Sequence, residues 1–134
     1  MIKILFICHG NICRSPMAEF IMKDLVKKAG LEQEFMIDSR ATSTEETGNP
    51  IHRGTMGIFK KYQIPCTGHR AQQMSRQDYE TYDYLIGMDQ SNIRNMTRIA
   101  GGDPEKKIYK LMEFTGSGRD VADPWYTGDF EATY

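Results

Sequence analysis

The junction near the start of the chain constrains its fold most, because an unbroken apolar run meets a polar loop and then a helix. Ile4-Leu5-Phe6-Ile7 shows no polar alternation, so a strand over Ile2 to Ile7 has to be covered on both faces. From Pro16 to Ala29 the period changes. Ala18, Ile21, Met22, Leu25 and Ala29 share one helical face, while Glu19, Lys23, Lys27 and Lys28 lie elsewhere. Ser15 suits the N-cap, Pro16 the first helical position and Gly30 the stop.

The rest of the chain keeps this alternation. Phe35 to Arg40 reads as a second strand. Asn49-Pro50 repeats the cap-plus-proline signal ahead of Ile51, Thr55, Ile58, Phe59 and Tyr62 at helical spacing. A short helix over Ser75 to Tyr82 and a third strand over Tyr84 to Met88 follow. Asp89 then caps a helix carrying Ile93, Met96 and Ala100, which Gly101-Gly102-Asp103-Pro104 breaks. Lys107 to Met112 is the fourth strand, and a long loop runs on through Gly116, Gly118 and Pro124. Strands alternating with helices predict a parallel sheet with helices on both faces. In such sheets the ligand site lies beyond the carboxyl ends of the strands.

With 134 residues the chain is expected to form one domain over 1–134. A net charge of −1 lacks the electrostatic footprint of a general nucleic-acid binder. No apolar run approaches the roughly 20 residues of a membrane span. The four apolar residues before Cys8 are too few for a secretory core of roughly 7–15. Three cysteines (Cys8, Cys13, Cys66) without an export signal point to reduced thiols and a cytoplasmic location.

Cys8-His9-Gly10-Asn11-Ile12-Cys13-Arg14-Ser15 joins the first strand to the first helix. Spacing alone makes a cysteine six residues before an arginine weak evidence, and the placement adds the weight. Glycine permits a tight loop whose amides point inward as an anion nest, and the helix N-terminus adds its positive dipole end. Arg14 supplies a planar fork that matches phosphate oxygens. Such surroundings favour a thiolate over a thiol, which places Cys8 for phosphoryl transfer through a phosphocysteine. An inert thiol closing a buried strand is the competing reading of Cys8.

The stretch from Cys8 to Glu19 resembles the signature of low-molecular-weight protein tyrosine phosphatases. The likeness continues through Asp38-Ser39, Gly48-Asn49-Pro50, Gly68-His69-Arg70-Ala71, Met88-Asp89-Gln90-Ser91-Asn92 and Asp120-Val121-Ala122-Asp123-Pro124-Trp125-Tyr126, in the family's order. It implies a flavodoxin-like three-layer α/β sandwich on a four-stranded parallel sheet, a phosphotyrosine protein or peptide as substrate, phosphate or sulfate as product or inhibitor, and no metal or organic cofactor.

The resemblance implies that Cys8 is the nucleophile and Arg14 the clamp on the equatorial oxygens, within a phosphate loop of His9 to Ser15. It makes Asn11 a loop organiser networked with Ser39 and His69, and gives the Ser15 hydroxyl to the Cys8 sulfur. Without it, His69 reads equally as a surface histidine. Family position makes Asp123 the candidate general acid, a role the chemistry needs because a phenol with a pKa near ~10 leaves poorly as its anion, and Pro124 would hold Asp123 extended. A turn aspartate is the plainer reading of Asp123, and Asp120 is its rival for the acid role. Trp125 and Tyr126 would line the mouth of the site and stack on the phenyl ring, although a sole tryptophan also suits a core. Cys13 is a candidate disulfide partner that shields Cys8 from overoxidation.

Two departures from the family pattern stand out. Thr44-Glu45-Glu46-Thr47 occupies a loop where many members carry an aromatic residue, so Glu45 and Glu46 would line the pocket and favour basic or small substrates. The chain ends at Tyr134 within what looks like the start of the family's final helix, which predicts an uncovered apolar sheet face and self-association. Arsenate reductases of this fold need further cysteines, and Cys66 is the only thiol outside the loop. In the similar protein arginine phosphatases the position of Ile12 resembles threonine, so isoleucine here favours phosphotyrosine. A phosphate-binding module would need the nest but not Asp123.

Overall fold

The structure is a computed structural model that describes residues 1–66, 68–115 and 120–121. Its strands are β1 (Ile2–Cys8), β2 (Phe35–Ala41), β3 (Tyr84–Gly87) and β4 (Ile108–Lys110). Its α-helices are α1 (Arg14–Lys28), α2 (Arg53–Lys61), α3 (Arg76–Thr81) and α4 (Gln90–Ala100). The strands form one parallel sheet in the order β2-β1-β3-β4.

The apolar run of β1 explains the layering. Leu5 and Ile7 face Leu85, Met96, Ala100, Tyr79 and Tyr82 on the side of α3 and α4. Ile4, Phe6 and Cys8 face Ile37, Ile86 and Met88 on the other side, with Ala18, Met22 and Val26 of α1. Every residue from Ile4 to Cys8 is buried, so successive side chains feed two cores and none can be polar without loss. Met17 and Phe20 of α1 join Ile58 and Phe59 of α2 in a third cluster. The apolar surface of α1 is therefore wider than its sequence stripe. Part of that stripe (Ile21, Met22, Leu25) lines a groove of about 440 Å³ with Leu111 and Val121. No described helix is long and apolar enough to cross a membrane.

Several expected boundaries move. The first helix begins at Arg14 with Cys13 at the cap, because the Ser15 hydroxyl is taken up by the site rather than by a helix amide. The second helix begins at Arg53, not after Asn49-Pro50. His52 caps it by accepting from the Gly54 amide, while Asn49 is held by backbone bonds to Glu46 and Ala71. The fourth strand covers only Ile108–Lys110, since Leu111 already starts a 3₁₀ turn. The third strand likewise ends at Gly87. Asp89 caps α4 as expected, and left-handed Gly101 ends it.

Candidate active site

Cys8 is the last residue of β1, and the loop after it folds back so that polar groups converge on its sulfur. The backbone amides of Asn11 and Ser15 donate to Cys8 Sγ at 3.3 and 3.4 Å. The Ser15 hydroxyl lies 3.1 Å from the same sulfur. Asn11 makes this possible by adopting φ 60, a left-handed conformation that asparagine tolerates better than most residues. Two amides and a hydroxyl thus surround one buried sulfur.

The Asn11 side chain ties the loop to its surroundings. Its Nδ2 donates to Ser15 Oγ at 2.8 Å and to Ser39 Oγ at 2.9 Å, and its Oδ1 accepts from the Gln72 amide at 3.2 Å. The Asn11 carbonyl lies 2.8 Å from His69 Nε2. A carbonyl only accepts, so that nitrogen carries the proton. The His69 side chain is nearly buried, edge-on to Phe20, so it is not a surface histidine. Asn11, Ser15, Ser39 and His69 therefore come together as one network.

Its spacing puts Glu19 off the apolar face of the helix, yet it is 2 % exposed and belongs to this network. Its carboxylate accepts from Ser39 Oγ and from Lys23 Nζ, both at 2.5 Å, and faces His69 Nδ1 at 3.8 Å. The available signal was its position one turn after Ser15, on the side of the loop. The role that the sequence gives Asp89 is a helix cap. One of its oxygens does cap α4 through the Asn92 amide, while the other accepts from Arg14 Nη1 at 2.7 Å. The Arg14 side chain is 3 % exposed, and its Nη1 also donates to the Val121 carbonyl at 3.0 Å.

Asp120 Oδ1 accepts from the Gln90 amide and from Lys110 Nζ. Val121 donates its amide to the Met88 carbonyl and brings this stretch back beside Arg14. Asp123, Trp125 and Tyr126 lie outside the described residues. On the opposite side, His9 Nε2 meets Glu45 Oε2 at 3.0 Å, and the His9 carbonyl accepts from the Ser43 amide and hydroxyl. Glu46 accepts from Asn49 Nδ2, and its Cγ borders the space above Gly10. Ile12 and Cys13 are buried against Ala71. No disulfide joins Cys8, Cys13 or Cys66 among the described residues. Burial raises the Cys66 thiol above its usual range.

A sulfur at the floor of an amide nest, with a buried arginine closing the same loop, has the parts of a cysteine-dependent phosphate-ester hydrolase. The chain belongs to the low molecular weight phosphotyrosine protein phosphatase family, whose pattern matches residues 3–134. It is 44% identical to the low molecular weight protein-tyrosine-phosphatase YfkJ of Bacillus subtilis (strain 168), over 98% of this chain and 85% of that protein. The crystal structure of YfkJ superposes with a TM-score of 0.95, covering 99% of this chain and 85% of that one. The low molecular weight protein tyrosine phosphatase SP-PTP of Streptococcus pyogenes is 47% identical with a TM-score of 0.89, over 100% and 84% of the two chains. A drosophila arginine phosphatase is similar at 30% identity and TM-score 0.88, over 98% and 86%.

Proposed function

We propose that this chain hydrolyses phosphotyrosine monoesters on proteins or peptides through a phosphocysteine intermediate. The convergence of two amides and the Ser15 hydroxyl on Cys8 Sγ carries this reading. The sulfur attacks phosphorus and the bond to the tyrosine oxygen breaks, with Asp123 protonating the leaving phenolate. Water then attacks the phosphocysteine, Asp123 takes its proton, and phosphate leaves with the thiolate restored. Arg14 and the amides of His9 to Ser15 hold the equatorial oxygens as charge develops. The engagement of Asp120 with Lys110 and Gln90 supports Asp123, two residues beyond Val121, in the acid role. Ile12 is buried and offers no hydroxyl to a second reaction type, which favours phosphotyrosine over phosphoarginine.

Trp125, Tyr126, Glu45 and Glu46 line the entrance in this reading, and the two acids favour peptides with basic neighbours. Phosphate and sulfate compete for the nest. We place the enzyme in the cytoplasm, where its thiols stay reduced.

Turnover of p-nitrophenyl phosphate from pH 4.5 to 8 tests the chemistry. Activity should vanish in Cys8→Ser and fall roughly 10²-fold or more in Asp123→Ala. Phosphotyrosine peptides with lysine neighbours should be cut faster than those with glutamate. Turnover indifferent to Cys8 would sink the mechanism. Equal peptide rates would remove only the role of Glu45 and Glu46.

A further inference from the structure

Arg40 lies on β2, outside the phosphate loop, and nothing in the proposed chemistry uses it. Its side chain is 15 % exposed and sits between two carboxylates, with Nη1 3.0 Å from Asp38 Oδ2 and Nε 3.8 Å from Asp78 Oδ2. Burial works against its charge, but Asp38 and Asp78 outweigh this and raise its pKa above the ordinary arginine value. Asp78 is itself fixed, since its Oδ2 accepts from the Ser75 amide in the capping box of α3.

β2 is an edge strand among the described residues, so its outer side has no strand partner. There Arg40 Nη1 donates to the Ser39 carbonyl at 2.8 Å. The next peptide is held from the same side, because the Ala41 amide donates to the Gln72 carbonyl. The Arg40 carbonyl then points inward and stands 3.5 Å from Ser15 Oγ.

That carbonyl competes with Cys8. A serine hydroxyl has one proton, and Asn11 Nδ2 already occupies one acceptor side of Ser15 Oγ. The proton can go to Cys8 Sγ at 3.1 Å or to the Arg40 carbonyl at 3.5 Å. We propose that Arg40 is a positioning residue for the nucleophile: by clamping the strand on its outer side it keeps this carbonyl at the far limit of hydrogen-bond reach, and the Ser15 proton is directed to the sulfur. The inference rests on Cys8 acting as the attacking thiolate.

The test is the pH dependence of Cys8 alkylation by iodoacetamide, read by mass spectrometry at that cysteine and so independent of turnover. In Arg40→Met the midpoint should rise by about 0.7 pH unit, the equivalent of one lost hydrogen bond. The kcat for p-nitrophenyl phosphate should fall roughly 5-fold with KM unchanged. Arg40→Lys should recover part of both effects. In a Ser15→Ala background Arg40→Met should add no further shift. An unmoved midpoint in Arg40→Met, with or without a lower Tm, would overturn the proposal and leave Arg40 a structural brace. An equal shift in the Ser15→Ala background would also overturn it, by showing that the charge acts directly on the sulfur. Should Arg40→Met not fold, Asp78→Asn decides, since loosening the guanidinium must move the midpoint the same way. If p-nitrophenyl phosphate turnover persists in Cys8→Ser, the phosphatase reading itself fails, whatever the midpoints show.

Discussion

Asp89 divides its two oxygens between the cap of α4 and the guanidinium of Arg14. The two roles separate by substitution. Asp89→Ala loses both, and should cost about 1 kcal/mol of stability from the cap together with a roughly 10- to 100-fold fall in kcat/KM from a displaced Arg14. Asp89→Ser keeps a capping oxygen and should restore the stability without the activity, as urea denaturation and p-nitrophenyl phosphate kinetics would show. Recovery of both in Asp89→Ser would mean that Arg14 does not depend on this carboxylate. The dual role was hidden in the sequence because an N-cap signal explains an aspartate fully by itself. Glu19 was hidden for a related reason. A carboxylate among lysines reads as the solvated face of a helix, and only the arrival of Ser39 and His69 from distant segments makes burial tolerable.

Elements read best where one residue serves one purpose. The buried β1, the Asp89 cap and the glycine stop after α4 were all legible. The start of α2 was not, because the Asn49 backbone bonds back to Glu46 and across to Ala71 instead of opening a helix, while the actual cap is a histidine. The packing of β3 on α4 could not be read either. A methyl group at Gly87 would stand 2.9 Å from Met96 Sδ, 3.0 Å from Ile93 Cδ1 and 3.1 Å from Asn92 Cβ. Gly87→Ala should therefore destabilise the fold by roughly 1–3 kcal/mol. The Asn92 contact also reaches the first turn of α4, where Asp89 meets Arg14, so activity should fall with stability. A variant of unchanged stability would show that the two flexible side chains move aside at no cost.

At the scale of the whole molecule, the parallel sheet and the place of the site follow from the strand–loop–helix start and the alternation after it. The network behind the loop does not follow from spacing, since it joins four distant segments: the family resemblance supplied Asn11, Ser39 and His69, and nothing in the sequence supplied Glu19 or Gln72. The network links Asn11 to Ser39 on β2, to His69 and Gln72 before α3, and back to Glu19 on α1. The Arg14–Val121 hydrogen bond spans further still, with a separation of 107 residues. Closing a loop of that length carries an entropic cost that contacts made earlier must offset. The pocket should thus be among the last parts of the molecule to form on refolding, although its loop lies at the front of the chain. After dilution from denaturant, helical circular dichroism should return ahead of phosphatase activity, and simultaneous recovery would contradict this order. A chain emerging from the ribosome would by the same reasoning carry its cysteine, its glycine loop and its arginine long before it could use them.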